Sequence, residues 1–310
     1  EMGKITENDG TISFDVTVTN TGDTAGKDVV EVYYNPPYTN GGIEKASANL
    51  IAYDKTKSLE PGESQTLTIS FKAEDMASYD YQKEKGYVLE AGDYEISINT
   101  DSHHIIESET YTVDETVKYT GDNKRSTDQT TVENQFDYAA GDVTYLSRAN
   151  GFANYKEATA APESLSMSKE AKKEFINNSN YNPEDYNNEE DKMPETGAKN
   201  DIELADLRGV DYDDAKWDEL LDNMTISDMD TVIALGGYQT AAASSVGKIQ
   251  TIDCDGPASI NNNFTGTGSI GFPSAVMIAC TWNDEIAMEF GEASVKWQMK
   301  WGYPDGMLRQ

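Results

Sequence analysis

The sequence has few basic residues, almost no cysteine or histidine, and no long apolar run. Against 56 aspartates and glutamates stand only 24 lysines and arginines, a formal net charge of −32. A field of that sign repels phosphate backbones and anionic lipid surfaces, which argues against nucleic-acid and membrane partners. No stretch reaches the roughly 18 consecutive apolar residues of a membrane-crossing helix. The two cysteines, Cys254 and Cys280, cannot frame a disulfide-rich scaffold, and with only His103 and His104 there is little material for a zinc site. The opening Glu1-Met2-Gly3-Lys4 lacks the apolar core of a signal peptide and a conventional start, so the chain is expected to be part of something longer.

What is present begins with alternation. In 11–20, Ile12, Phe14, Val16 and Val18 point one way and Ser13, Asp15, Thr17 and Thr19 the other. That is the period-two signature of a strand with one buried face. Asn20-Thr21-Gly22-Asp23 is turn chemistry. Further strands are expected around Val30, Val32 and Tyr34, ended by Pro36-Pro37, and at 50–53. Others follow around Leu67, Ile69 and Phe71 after the Pro61-Gly62 turn, around Tyr94, Ile96 and Ile98 after Gly92, and at Tyr111 and Val113. Six or seven short strands at this spacing predict an antiparallel, immunoglobulin-like β-sandwich of about 100 residues.

Residues 114–205 show weak periodicity. The apolar content of 136–148 predicts an ordered strap, and Ser168 is a candidate cap for a short helix to Ile176. The segment 177–199, rich in Asn, Asp, Glu and Pro, predicts a solvated loop. Its acidic run Glu189-Glu190-Asp191 lacks the alternating carboxylates and glycine of a calcium loop and reads as a solvated charge cluster. In the last third, Asp213 or Asp214 is a candidate cap for a helix carrying Trp217, Leu220 and Leu221, and Thr225 or Ser227 for the next, closed by Gly236-Gly237. A buried strand is expected at 248–254 and a further strand at 274–280, with Asn283 capping a helix to about Gln298. Strands alternating with helices suit the beginning of an α/β barrel.

Two sets of motifs carry a resemblance. Leu59-Glu60-Pro61-Gly62-Glu63-Ser64, Ala91-Gly92-Asp93-Tyr94, Asn20-Thr21-Gly22 and 26–33 resemble the fibronectin type III-like domain that accompanies family 3 glycoside hydrolases. Leu207-Arg208-Gly209-Val210-Asp211-Tyr212, Asp253-Cys254-Asp255-Gly256-Pro257-Ala258, Gly271-Phe272-Pro273 and Ala279-Cys280-Thr281-Trp282-Asn283 resemble the lead-in and first strands of that family's TIM-type barrel, in order.

The resemblance implies a fibronectin-like sandwich over 1–113, an acidic linker over 114–205 and a truncated barrel start over 206–310. It implies part of a retaining β-glycosidase, β-glucosidase first, acting on terminal β-linked sugars without a cofactor. Such hydrolysis uses two carboxyl groups about 5 to 5.5 Å apart. In the family the nucleophile lies on a later barrel strand and the acid on a separate domain, and neither segment is recognisable here. A full barrel takes about 250 residues, far more than follow Ile202, so the missing flanking domains are the expected partners and the chain alone is expected to be inactive.

One functional residue carries over: Asp255, matching the family's sugar-binding aspartate at the end of a predicted barrel strand. A carboxylate accepts hydrogen bonds from two hydroxyls; the alternative is a turn aspartate in an Asp-Gly-Pro bend. Asp253 is set aside on strand alternation. Trp282 is either a sugar platform or a junction core residue. Cys254 and Cys280 are either free thiols or a disulfide pair. His103-His104, neighbours on a strand, make a poor chelate. The tail 301–310 departs from the family's pattern. The competing class is a non-catalytic carbohydrate-binding or surface sandwich protein.

Overall fold

The computed structural model describes residues 1–300 apart from 140, 142, 176–178, 194, 238, 257 and 263–265. The tail at 301–310, whose departure from the family pattern was noted, lies outside the described residues. The chain divides into two compact units, Glu1–Ser166 and Met167–Gln310.

The first unit is a sandwich of antiparallel sheets. Strands β1 (Thr6–Asn8), β2 (Thr11–Thr19) and β5 (Ser64–Lys72) form one sheet in the order β1-β2-β5. Strands β3 (Val29–Asn35), β4 (Asn49–Lys55), β8 (Gly92–Asp101) and β9 (His104–Val113) form a second, ordered β4-β3-β8-β9. Short strands β6 (Ser78–Asp80), β7 (Gly86–Leu89) and β10 (Val117–Tyr119) make a third, ordered β10-β7-β6. The expected alternation holds: Ile12, Phe14 and Val16 of β2 and Leu67, Ile69 and Phe71 of β5 are buried in one cluster with Val30, Val32 and Tyr34 of β3 and Tyr94, Ile96 and Ile98 of β8. At 50–53 the apolar run forms part of edge strand β4, and Leu50 and Tyr53 stay exposed.

The turns explain themselves chemically. Asn20 folds its amide back, with Oδ1 accepting from the Gly22 N–H (2.9 Å) and Nδ2 donating to the Leu59 (2.8 Å) and Thr24 (3.0 Å) carbonyls. Pro61 presets one torsion of the 60–63 turn and Gly62 supplies the left-handed one (φ 81°); the turn closes from the Glu63 N–H to the Glu60 carbonyl at 2.8 Å. The Tyr94 ring lies in the core while its hydroxyl donates to the Glu90 carbonyl four residues upstream (3.1 Å), the tyrosine-corner arrangement of immunoglobulin-like sandwiches. Burial, and then the charge of Glu90, push that phenol well above the usual tyrosine range.

The strap is ordered where one acid holds it. Glu44 accepts from the Tyr38 hydroxyl (3.0 Å), the Ser147 hydroxyl and the Arg148 N–H (3.1 Å). Arg148 lies over the Tyr38 ring at 4.4 Å and donates to the Lys45 carbonyl (2.9 Å). Asn40 and Asn150 exchange two hydrogen bonds. Lys45, with its side chain almost wholly buried, is neutralised by Glu90 and donates to the Pro37 carbonyl (2.8 Å). Burial pulls the Glu44 carboxyl upward, but hydrogen bonds from Ser147, Arg148 and Tyr38 outweigh it and leave the group below its ordinary value.

In the second unit, α1 (Lys169–Glu174) is capped by Ser168 as expected, the Oγ accepting from the Ala171 N–H (2.9 Å). Helix α2 (Lys216–Asn223) buries Leu220 against Leu207, Ala243 and Val246, while Leu221 is exposed. Asp214 contributes at its start by accepting from the Lys216 N–H (2.9 Å), though Ala215 holds the cap position. Thr225 caps α3 (Ile226–Ala234), accepting from Asp228 at 3.1 Å.

Two sequence expectations are corrected here. The segment 248–254 is not a continuous buried strand: Lys248 makes an isolated antiparallel bridge to Ala243, and Thr251–Ile252 (β12) pairs, antiparallel, with Gln239–Thr240 (β11). The segment 274–280 is not a strand but helix α4 (Ala275–Ala279). Ser274 Oγ caps it by accepting from the Met277 N–H (3.2 Å), and alanine and methionine, good helix formers, outweigh the β preference of Val276 and Ile278. Helix α5 (Asp284–Lys300) starts where expected, with Asn283 Oδ1 accepting from the Glu285 (2.9 Å) and Ile286 (3.3 Å) N–H groups.

Two tests follow from these contacts. Tyr94→Phe removes the corner hydrogen bond and lowers unfolding free energy by about 1 kcal/mol, read from the urea midpoint. The Glu44 clamp, with a depressed folded-state pKa, contributes fully above the ordinary carboxylate range and is lost as pH falls through the lowered value. Amide exchange at Arg148 and Asn150 accelerates through that window, and Glu44→Gln produces the same acceleration at neutral pH; exchange unaffected by either change refutes the clamp.

Candidate functional site

Asp255 stands at the mouth of a small closed loop. Beyond β12 the chain runs through Asp253 and Cys254 and returns against β13 (Asn261–Asn262), which pairs antiparallel with β14 (Thr267–Gly268). The loop closes by a two-bond bridge: the Asp255 N–H donates to the Asn261 carbonyl (2.8 Å) and the Asn261 N–H to the Asp255 carbonyl (3.1 Å). Asn262, 2% exposed, donates from Nδ2 to the Asp253 carbonyl at 2.8 Å. A buried amide facing a backbone carbonyl fixes the loop's base, because leaving either group unpaired costs about 1–3 kcal/mol. Below, Ser269 ties down Ile260, with its Oγ accepting from the Ile260 N–H (2.9 Å) and its N–H donating to the Ile260 carbonyl (3.0 Å). The Phe272 N–H donates to the Ala258 carbonyl (2.6 Å).

The backbone of Asp255 is therefore held while its side chain is exposed and makes no hydrogen bond or ion pair among the described residues. An ionised carboxylate so presented accepts hydrogen bonds from hydroxyl or N–H donors. Pro257, the third member of the Asp-Gly-Pro element, lies outside the described residues. Asp253 is corrected on one point: residues two apart in extended chain share a face, so alternation does not separate it from Asp255. Both are exposed, and after burial their two carboxylates push the half-buried Cys254 thiol further up.

The other candidates fall elsewhere. Cys254 and Cys280 are free thiols, which settles the disulfide alternative. Trp282 is half-buried at the junction between α4 and α5, in a left-handed conformation (φ 49°) unusual for an aromatic residue. His103 and His104 are exposed at the turn between β8 and β9, where His104 Nδ1 meets the Asp101 carboxylate at 2.7 Å. Glu189, Glu190 and Asp191 are exposed. Among the described residues no group of three or more His, Cys, Asp or Glu could hold a metal ion.

Sequence reasoning nominated Asp255 and missed Asn261 and Asn262, the residues that position it. The signal available was the polar Asn-Asn-Asn run following Ile260, a β-bridge partner written in residues that favour turns. Asn262→Ala is expected to destabilise the second unit by about 1–3 kcal/mol and to speed amide exchange at Asp255 and Asn261. Unchanged exchange at both would show that the bridge stands without the buried amide.

Residues 28–102 match the fibronectin type III-like domain family. Over 286 residues the chain is 29% identical to beta-glucosidase A of Butyrivibrio fibrisolvens, covering 90% of this chain and 34% of that protein. Over 103 residues it is 41% identical to a beta-glucosidase of Ruminococcus albus, covering 32% of this chain and 11% of that one. A solved beta-glucosidase from Paenibacillus barengoltzii superposes with a TM-score of 0.53 at 20% identity, covering 94% of this chain and 31% of that chain, a likeness of fold. The chain thus spans about a third of the length of the relatives it matches along most of its own. It resembles family 3 β-glucosidases along most of its sequence and contains their fibronectin type III-like domain.

Proposed function

We propose that this β-glucosidase-like chain supplies the sandwich and the opening of the catalytic barrel to a retaining β-glycosidase that releases terminal β-linked sugars, β-glucosides first. The observation that carries this reading is the match to a β-glucosidase along 90% of the chain. In it, 1–113 is the fibronectin-like sandwich, 114–205 the acidic connection, and 206–310 the barrel's beginning. Asp255 binds hydroxyls of the sugar in the −1 subsite.

The chemistry of Asp255 suits that role. Its backbone is fixed through Asn261, its side chain is uncommitted, and a carboxylate hydrogen-bonded by two sugar hydroxyls orients the ring for attack at the anomeric carbon. In this reading the nucleophile and the general acid are supplied by other segments of the enzyme.

The test has two arms. The 310-residue chain alone should leave an aryl β-glucoside unhydrolysed; turnover that tracks the chain through purification sinks the division of labour proposed. In a polypeptide that completes the barrel and carries the acid, Asp255→Ala loses two charge-assisted hydrogen bonds. That is about 3 kcal/mol or more, so kcat/KM should fall at least roughly a hundredfold. A variant with wild-type kcat/KM would leave Asp255 as a turn residue.

A further inference from the structure

The turn between β6 and β7 and the segment 131–137 form the two walls of a cleft of about 350 Å³, within the range of small-molecule sites. Both walls are pinned. Buried Asp80 accepts from three successive backbone N–H groups, those of Gln82 (3.0 Å), Lys83 (3.0 Å) and Glu84 (3.3 Å), so the turn carrying Tyr81, Glu84 and Lys85 is rigid. Hydrogen bonds from these N–H groups overcome the upward pull of burial and keep the Asp80 carboxyl below its ordinary value. Lys85 adopts a left-handed conformation (φ 50°), costly for a residue with a Cβ, and pairs with Asp137 of the opposite wall. The opposite wall is anchored where the Asn134 N–H donates to the Tyr79 hydroxyl (3.0 Å) and the Thr131 hydroxyl donates to the Gly121 carbonyl.

The groups left over define a ligand. Tyr81 is 38% exposed, an aromatic ring held at the cleft and braced edge-on by Tyr145 with ring centres 5.5 Å apart. The Glu133 carboxylate lines the cleft and makes no hydrogen bond or ion pair among the described residues. Asn134 commits its Oδ1 to the Phe136 N–H (3.0 Å), which leaves the Nδ2 hydrogens to donate. Glu84 is paired with Lys118 and Asp137 with Lys85, which leaves the Glu133 carboxylate uncompensated and the cleft net negative, so an anion is repelled. A metal ion is not favoured either, because among the described residues no three His, Cys, Asp or Glu side chains are grouped so as to hold one. A neutral molecule with one apolar face and a rim of groups that both donate and accept fits all three constraints, and a pyranose ring is such a molecule.

We propose that this cleft in the first unit is a second saccharide site, built from Tyr81, Glu133 and Asn134 and independent of Asp255. The glycosidase reading enters only in the choice of probe, a β-1,4-linked glucose tetramer. Titration of the chain with cellotetraose, followed by calorimetry and ligand-observed NMR, should give saturable millimolar binding. Tyr81→Ala should weaken it at least about tenfold, equivalent to about 1.4 kcal/mol. Glu133→Gln, an exposed change with no contact to lose, should weaken it severalfold with an unaltered near-UV spectrum. Asp255→Ala should leave it unchanged. No saturation up to about a hundredfold excess over the expected Kd, or binding indifferent to both cleft variants, overturns the proposal. Binding lost only in Asp255→Ala would overturn it while supporting the role given to Asp255.

Discussion

The first unit depends on one constraint: the register that turns Ile12, Phe14, Val16, Leu67, Ile69 and Phe71 toward Val32, Tyr94, Ile96 and Ile98. Each such side chain, once fully buried, contributes roughly 1.5–3 kcal/mol. A slip of one residue along β2 against β5 would send every one of its apolar side chains to water. The turns enforce that register from outside. Asn20 holds the end of β2 to Leu59, and the Gly62 N–H donates to the Asn20 carbonyl at 2.8 Å, so the Thr19–Ser64 end of the β2–β5 pair is fixed by polar contacts that do not themselves need burial.

From the core the order spreads through a short polar chain. Tyr94 fixes the Glu90 carbonyl, and the Glu90 carboxylate neutralises Lys45. Lys45 holds the loop beside Glu44, and Glu44 gathers Ser147 and Arg148 of the strap. A cation as buried as Lys45 is tolerable only with its partner in place, since an uncompensated buried charge costs several kcal/mol. The strap at 145–150, poor in buried apolar surface of its own, is thus ordered by hydrogen bonds that trace back to a core tyrosine rather than by packing.

This division explains what the sequence made legible. Half-buried antiparallel strands announce themselves by period two, and β2, β3, β5 and β8 were readable residue by residue. Helix caps at Ser168, Thr225 and Asn283 were readable because one side-chain oxygen decides each. Residues 274–280 were misread because a five-residue apolar run has no periodicity to distinguish strand from helix. Ser274 as cap decided it locally. Asp255 is nominated by its motif, but the backbone support it receives from the loop at Asn261 and Asn262 is not legible, since a β-bridge across a loop leaves no periodic trace. The cleft at Tyr81 was invisible for a related reason: its walls come from 79–85, 120–121 and 131–137, brought together only by the fold.

The two candidate saccharide sites differ in what they need. A hydrogen bond from a sugar hydroxyl to an exposed carboxylate replaces one to water, and its net value is about 0.5–1.5 kcal/mol, rising when the acceptor is charged and water is excluded. Asp255 presents the charged acceptor on a fixed backbone but lies exposed in the second unit, so strong binding there requires further walls around it. The Tyr81 cleft has both walls within one unit, an aromatic face, and donors and acceptors already oriented by Asp80 and Tyr79. Preorganisation lowers the ordering cost of binding. The cleft is therefore suited to holding a saccharide chain weakly without any other part of a glycosidase, whereas Asp255 acquires its value only when an enclosing site removes water from the carboxylate.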